Sequence, residues 1–160
     1  MKKRRVIVVD LDDTIAKKTT RHKFDWTKLH EDSGITGVLD IIHAYTYASN
    51  TKIVVLTARN EGYPNPLKKQ PEITNYKTIG REMTEIWVAE WLGDSNVVDR
   101  IIMKPCDSFE KSSTFKVREI QKLLEEGLDI EFILDDHQDV IEAVKETFPQ
   151  ITLLKVANYK

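Results

Sequence analysis

Val6-Ile7-Val8-Val9-Asp10-Leu11-Asp12-Asp13-Thr14 is an apolar run that stops on a cluster of acids. Consecutive β-branched residues favour extended backbone. A short run without polar alternation fits a strand covered on both faces. The same arrangement recurs along the chain. Residues 53–56 lead into Thr57-Ala58-Arg59, residues 100–103 into Lys104, and residues 131–134 into Asp135-Asp136. Residues 151–156 form a fifth apolar run.

Helical spacing fills the intervals. Over residues 37–48, Val38, Ile41, Ile42 and Tyr45 share a face. Over 78–92 the stripe is Met83, Ile86, Trp87 and Trp91, which reads as core rather than as a platform for bases. Phe115, Ile120, Leu123 and Leu124 mark 113–126, with Gly127 as a stop. Val140, Ile141, Val144 and Phe148 mark 138–148, and Pro149 ends that helix. The order βαβαβαβαβ predicts an α/β fold in three layers, a Rossmann-like parallel sheet with helices on both faces. Residues 1–160 are expected to form one domain.

Composition narrows the class. The 160 residues are 41% hydrophobic and 31% charged with a net charge of -2, so gross disorder is excluded and no global charge invites nucleic acid. The single cysteine, Cys106, cannot form an internal disulfide, which suits a reducing cytoplasm. The basic N-terminus resembles an export signal, but its apolar run ends at Val9 before Asp10 and Asp12. No run approaches the roughly 20 apolar residues of a membrane helix. A cytoplasmic location is expected, the host cytoplasm if the chain is phage-encoded.

In parallel sheets, ligands bind beyond the carboxyl ends of the strands. Here those ends carry Asp10, Asp12, Thr57, Arg59, Lys104, Asp135 and Asp136. Carboxylates gathered at one rim repel one another unless a cation lies among them. With oxygen ligands alone, Mg²⁺ is the expected ion. None of His22, His30, His43 and His137 has zinc-ligand spacing. His137 adjoins the acidic pair and is expected beside the site. Without G-x-x-x-x-G-K-[ST], phosphoryl transfer from ATP is unsupported.

VIVVDLDDTIA, VVLTAR and FILDDHQDVI resemble the first, second and fourth motifs of the haloacid dehalogenase (HAD) phosphatases, in family order. Lys116 in KSSTFKVREI stands where the third-motif lysine belongs, in preference to Lys111. Nearly the whole chain is similar to the 3′-phosphatase domain of bacteriophage polynucleotide kinase, including FDWTKLHEDSG and TEIWVAEWLG. In two places it departs from that pattern. Asp13 replaces the usual glycine, and Lys104 stands where a second arginine is expected.

The resemblance implies a HAD-like fold and Mg²⁺-dependent phosphomonoester hydrolysis through an aspartyl-phosphate. Asp10 would be the nucleophile and Asp12 the general acid and base. Mg²⁺ would sit on Asp10, the Asp12 carbonyl, Asp135 and Asp136. Thr57, Arg59 and Lys104 would bind phosphate, and Lys116 would pair with Asp10. The intervals between motifs leave no room for a full cap domain, since a βαβ unit alone takes roughly 30 or more residues. An open site suits a phosphorylated nucleic acid end. Basic Lys17, Lys18, Arg21, His22 and Lys23, then Lys68, Lys69, Lys77 and Arg81, interleave with Phe24, Trp26, Tyr63 and Tyr76, as a single-strand platform requires. A nucleotide or another small phosphomonoester is the alternative substrate, and a catalytically silent binding module the alternative class. A receiver domain is a poorer match, because its acidic pair precedes the phosphorylated aspartate.

Overall fold

A computed structural model describes residues 2–157. The chain runs β1 (Arg5–Val9), β2 (Ala16–Lys17), a 3-10 segment (Trp26–Glu31), β3 (Ser33–Gly34), α1 (Thr36–Ser49), β4 (Lys52–Asn60), α2 (Ile79–Trp91), β5 (Val98–Lys104), α3 (Ser112–Glu125), β6 (Asp129–Asp135), α4 (Gln138–Thr147) and β7 (Leu153–Lys155). Five strands form one sheet in the order β5-β4-β1-β6-β7, and every pairing in it is parallel. β2 and β3 form a small antiparallel pair that the sequence pattern does not announce.

The strands read as unbroken apolar runs because both faces are covered. Ile7, Val9, Ile53 and Val55 face Leu39 and Ile42 of α1 and Trp87 and Val88 of α2. Val6, Val8, Val54 and Leu56 face Phe115, Ile120 and Leu123 of α3 and Val140 and Val144 of α4. Truncating any of these large aliphatic side chains to alanine costs about 2–5 kcal/mol. β1 lies at the centre, between β4 and β6, so the sheet's switch in strand order falls at its carboxyl end.

Two helix faces are rotated from the sequence reading. Ile41 of α1 and Ile86 of α2 are exposed, whereas Leu39 and Thr84 are buried. Each misplaced residue belongs to an adjacent apolar pair, Ile41-Ile42 or Ile86-Trp87. At 3.6 residues per turn such a pair leaves the phase of the stripe open by one position. The strand read as 53–56 extends through Asn60, with a register shift against β5 between Leu56 and Asn60.

Candidate active site

The N–H of Asp10 donates to the Leu134 carbonyl at 2.9 Å. This carries the β1–β6 pairing one residue past β1, so Asp10 and Asp135 emerge side by side. The chain then coils tightly. The N–H groups of Thr14, Ile15 and Ala16 all donate to the Leu11 carbonyl. The turn holds Asp13 at φ 61°, in the left-handed region. Glycine enters that region freely and aspartate better than most residues, which accounts for the substitution noted in the sequence. The coil returns the Thr14 hydroxyl to 2.8 Å from Asp10 Oδ2 and 3.1 Å from Asp136 Oδ1.

α3 delivers Lys116 from the other side. Its ammonium donates to Asp10 Oδ1 at 2.7 Å and to Asp135 Oδ2 at 2.6 Å, and all three residues are buried. Lys111, at the N-cap of α3, is exposed. The remaining Asp135 oxygen accepts the His137 N–H at 2.9 Å, which fixes the turn into α4. Burial pushes the Asp10 carboxyl up to about 7; Lys116 opposes that rise and Asp135 adds to it. Burial works against the Lys116 charge, yet Asp10 and Asp135 hold its pKa above the ordinary lysine value.

Asp10, Asp135 and Asp136 each offer an oxygen, and these lie within 4.8 Å of one another. Mg²⁺ bonds oxygen at about 2.0–2.1 Å, so its ligands stand roughly 3–4 Å apart. Three carboxylates against the one ammonium of Lys116 leave an excess that a divalent ion would cancel. Donor type, spacing and charge therefore fit a hard dication.

The Asp12 side chain turns away from this cluster, half-exposed, into the fork of Arg59. Arg59 Nε lies 2.9 Å from Asp12 Oδ2 and Nη2 lies 2.8 Å from Oδ1. Burial alone would raise the Asp12 carboxyl. The charge and hydrogen bonds of Arg59, aided by Arg21, hold it below the usual carboxylate range. Behind Arg59 lies Asp32. It takes Arg59 Nη2 at 3.1 Å and a bidentate pair from Arg21, both bonds 2.8 Å.

The family of PNKP (polynucleotide kinase) phosphatase domains matches residues 4–159. The chain belongs to that family. It is thereby a HAD-type phosphatase domain, a phosphoric monoester hydrolase. No curated protein matches it by sequence. Among solved structures, a chain in "Structure of Pnkp1/Rnl/Hen1 complex" superposes with a TM-score of 0.76 at 18% identity, over 98% of this chain and 47% of that one. A chain in "Structure of the Pnkp1/Rnl/Hen1 RNA repair complex" gives 0.73 at 19%, over 98% and 44%. The D,D-heptose 1.7-bisphosphate phosphatase from B. bronchiseptica, complexed with magnesium and phosphate, gives 0.54 at 16%, over 89% and 75%. This PNKP phosphatase domain thus spans about half the length of the first two chains it resembles.

In this PNKP phosphatase domain a cavity of about 170 Å³ opens over Asp10 and is lined by Asp12, Lys116, Asp135 and Asp136. Thr57, Arg59 and Lys104 are not among its lining residues. Thr57 is fully buried, and its Oγ1 accepts the Arg59 N–H at 3.2 Å within the irregular end of β4. Lys104 donates to the Glu110 carbonyl at 2.9 Å, and burial lowers its pKa. His137 lines the cavity and gives its backbone N–H to Asp135.

A second cavity, about 730 Å³, shares Asp12 and Asp13 with the first and is lined by Lys17, Lys18, Arg21, Lys23, Phe24, Trp26 and Arg59. A third, about 490 Å³, continues past Phe24 to Tyr63, Lys68 and Lys69. Trp26 and Tyr63 place their rings 4.7 Å apart, and the Tyr63 hydroxyl accepts the Trp26 N–H and donates to the Phe24 carbonyl. Two basic residues of the sequence clusters are already engaged: Arg21 by Asp32, and Arg81 by Glu61 and Glu85. Trp87 and Trp91 stack on each other in and against the core.

Sequence reasoning passed over Asp32 and Thr14. Asp32 precedes Ser33-Gly34 and reads as a turn residue. Its burial with two arginines depends on contacts distant in sequence. Thr14 has a clearer signal, since its place after the DxD follows the family motif.

Proposed function

We propose that this domain removes 3′-phosphates from polynucleotide ends in a Mg²⁺-dependent reaction through a phosphorylated Asp10. The observation that carries the reading is the Asp10 carboxylate itself, buried between Lys116 and Thr14 at the floor of a cavity that also exposes Asp12. Asp10 attacks phosphorus, the bond from phosphorus to the sugar 3′ oxygen breaks, and Asp12 relays to that oxygen the proton carried by the substrate's phosphate monoanion. Asp12 then takes a proton from water as the water attacks phosphorus. The Asp10–phosphorus bond breaks, and inorganic phosphate and the carboxylate are restored.

Asp10, Asp135, Asp136 and the Asp12 carbonyl would hold Mg²⁺, which supplies charge neutralisation and alignment of the phosphoryl group. Lys116 offsets part of the cost of ionising the buried Asp10 and meets charge developing on the phosphoryl oxygens. Arg59 presents Asp12 and is the residue that would meet phosphate oxygens entering the larger cavity, while Arg21 stays paired with Asp32. Thr57 and Lys104 hold the strand exits in shape.

A polymer end is favoured over a free nucleotide by the contiguous cavities. They run from Asp12 past Phe24, Trp26 and Tyr63 toward Lys68 and Lys69, so basic and aromatic side chains continue beyond the cavity that shares Asp12. Stacking faces beside cations suit a single strand. That a structural relative belongs to a complex described as RNA repair agrees with this choice.

The test compares kcat/KM for 3′-phosphorylated oligonucleotides, 5′-phosphorylated oligonucleotides, nucleoside monophosphates and p-nitrophenyl phosphate, with Mg²⁺ and with EDTA. Preference for the 3′-phosphorylated oligomer and loss in EDTA are expected. Preference for mononucleotides would reject the polymer-end reading. No hydrolysis of any substrate would identify a silent module.

A further inference from the structure

We infer that Lys17, Lys18 and Lys23 form a site for the internucleotide phosphate nearest the 3′ end of a polynucleotide. The inference rests on the polynucleotide-end reading above and adds the place where the strand leaves the reaction cavity. The cavity of about 730 Å³ shares Asp12 and Asp13 with the one over Asp10. A strand whose terminal phosphate meets Asp10 therefore enters it next. Five cations line that cavity against two carboxylates.

The cations are of two kinds. Arg21 and Arg59 are buried, and each is shared between Asp12 and Asp32. Lys17, Lys18 and Lys23 are exposed. Among the described residues the lysines paired with carboxylates are Lys116 and Lys122. The cavity's uncommitted charge is therefore that of the three lysines. One exposed lysine is merely solvated, but three lining one cavity raise its potential together. Their backbone is fixed although their ammonium groups are not. The β2–β3 pairing sets Lys17 opposite Ser33, and burial of Ala16 turns the next side chain outward. Arg21 Nη1 donates to the Lys23 carbonyl at 3.1 Å. The Lys23 ammonium lies 4.7 Å from the centre of the Phe24 ring, which lines the third cavity as well. A lysine is a point charge with three rotatable donors on a flexible stem. That suits a phosphodiester, which carries one charge and changes its torsions along a strand.

Binding in EDTA tests this without turnover. Fluorescence anisotropy follows a labelled oligothymidylate with a 3′-phosphate over a range of KCl concentrations. On single strands each neutralised phosphate contributes about −0.7 to the slope of log affinity against log salt. An uncharged methylphosphonate in place of the internucleotide phosphate nearest the 3′ end is expected to flatten the wild-type slope by about 0.7. It is also expected to weaken binding about 10-fold, the effect of a lost charged hydrogen bond. Lys17→Gln, Lys18→Gln and Lys23→Gln together are expected to do the same to the natural oligonucleotide. In that triple variant the methylphosphonate is expected to add less than about 2-fold, because both changes remove one interaction.

Full additivity of the two changes would overturn the inference, as would coupling of the methylphosphonate to Lys68→Gln and Lys69→Gln in place of the trio. Lys17→Arg, Lys18→Arg and Lys23→Arg together keep the charge and are expected to retain both affinity and slope. Their failure to do so, with Tm unchanged, also counts against the site. Hydrolysis in Mg²⁺ is measured in parallel. Coupled binding with no hydrolysis by the wild type would reject the phosphatase reading and leave the lysine site, whereas hydrolysis without coupling rejects the lysine site alone.

Discussion

The ammonium of Lys116 stands 2.7 Å from Asp10 Oδ1, inside the protein, with its remaining contact on Asp135. The lysine thus separates two carboxylates that adjacent parallel strands bring together. A buried cation in this place serves stability as well as chemistry.

Lys116→Met leaves those carboxylates without a counter-charge. Breaking a buried pair costs about 3–5 kcal/mol. In EDTA the Tm is expected to fall by roughly 6–20 °C, at about 2–4 °C per kcal/mol for a domain of this size. Mg²⁺ is expected to recover part of that loss while kcat stays at least about 10²-fold down. Calorimetry with and without Mg²⁺ checks this, and an unchanged Tm in EDTA contradicts it.

Asp10→Asn is expected to abolish turnover and yet to raise Tm in EDTA. The folded Asp10 carboxyl titrates at about 7, above its unfolded value of about 3.9. Its stabilising contribution is therefore complete below about pH 4 and is lost as pH rises through 7. Without metal, wild-type stability should decline across that window, and the decline should be weaker in the variant. Urea unfolding at several pH values measures both slopes.

Arg59→Gln removes the fork that holds the Asp12 carboxyl below the ordinary range. Burial then acts unopposed by Arg59, so the Asp12 titration seen by carboxyl carbon NMR should move upward. A depressed folded pKa stabilises above the unfolded value and is lost as pH falls through the folded one. The variant should therefore lose stability chiefly at neutral pH, and little at low pH. An unmoved Asp12 titration contradicts the pairing.

The sheet, its strand exits and the acid cluster were legible because local signals agree there. Apolar runs end on Asp10, Thr57, Lys104 and Asp135, and the parallel order forces those ends to one rim. The Asp32 network was not legible, since Arg21, Asp32 and Arg59 meet only after the 3-10 segment packs against α2. Helix phase failed at Ile41-Ile42 and Ile86-Trp87, where neighbouring apolar residues make two faces equally plausible. The position of Lys104 turned on a backbone acceptor, the Glu110 carbonyl, which no side-chain pattern reveals.

Gly80 sits where α2 meets the end of β4. A Cβ there would lie 2.5 Å from the Asn60 carbonyl oxygen and 3.0 Å from the backbone of Glu61. Gly80→Ala must push the helix away, at about 1–3 kcal/mol. One turn along, Thr84 would withdraw from Arg59, so kcat should fall along with Tm. A variant with wild-type Tm and kcat contradicts this packing.

Lys104→Met tests whether the lysine meets phosphate or only the strand exit. Its ammonium is committed to the Glu110 carbonyl, and burial already disfavours its charge. kcat/KM on the 3′-phosphorylated oligonucleotide is expected to stay within about threefold of wild type, below the effect of a charged hydrogen bond to substrate. A loss of a hundredfold would assign Lys104 to the substrate after all.

Acid quenching during turnover of an oligonucleotide with a radiolabelled 3′-phosphate, followed by peptide mapping, addresses the nucleophile itself. Transient label on the peptide carrying Asp10, released by hydroxylamine and absent from Asp10→Asn, is the expected result. Phosphate release with no protein-bound label at any time, or with label mapped to another residue, contradicts a covalent role for Asp10.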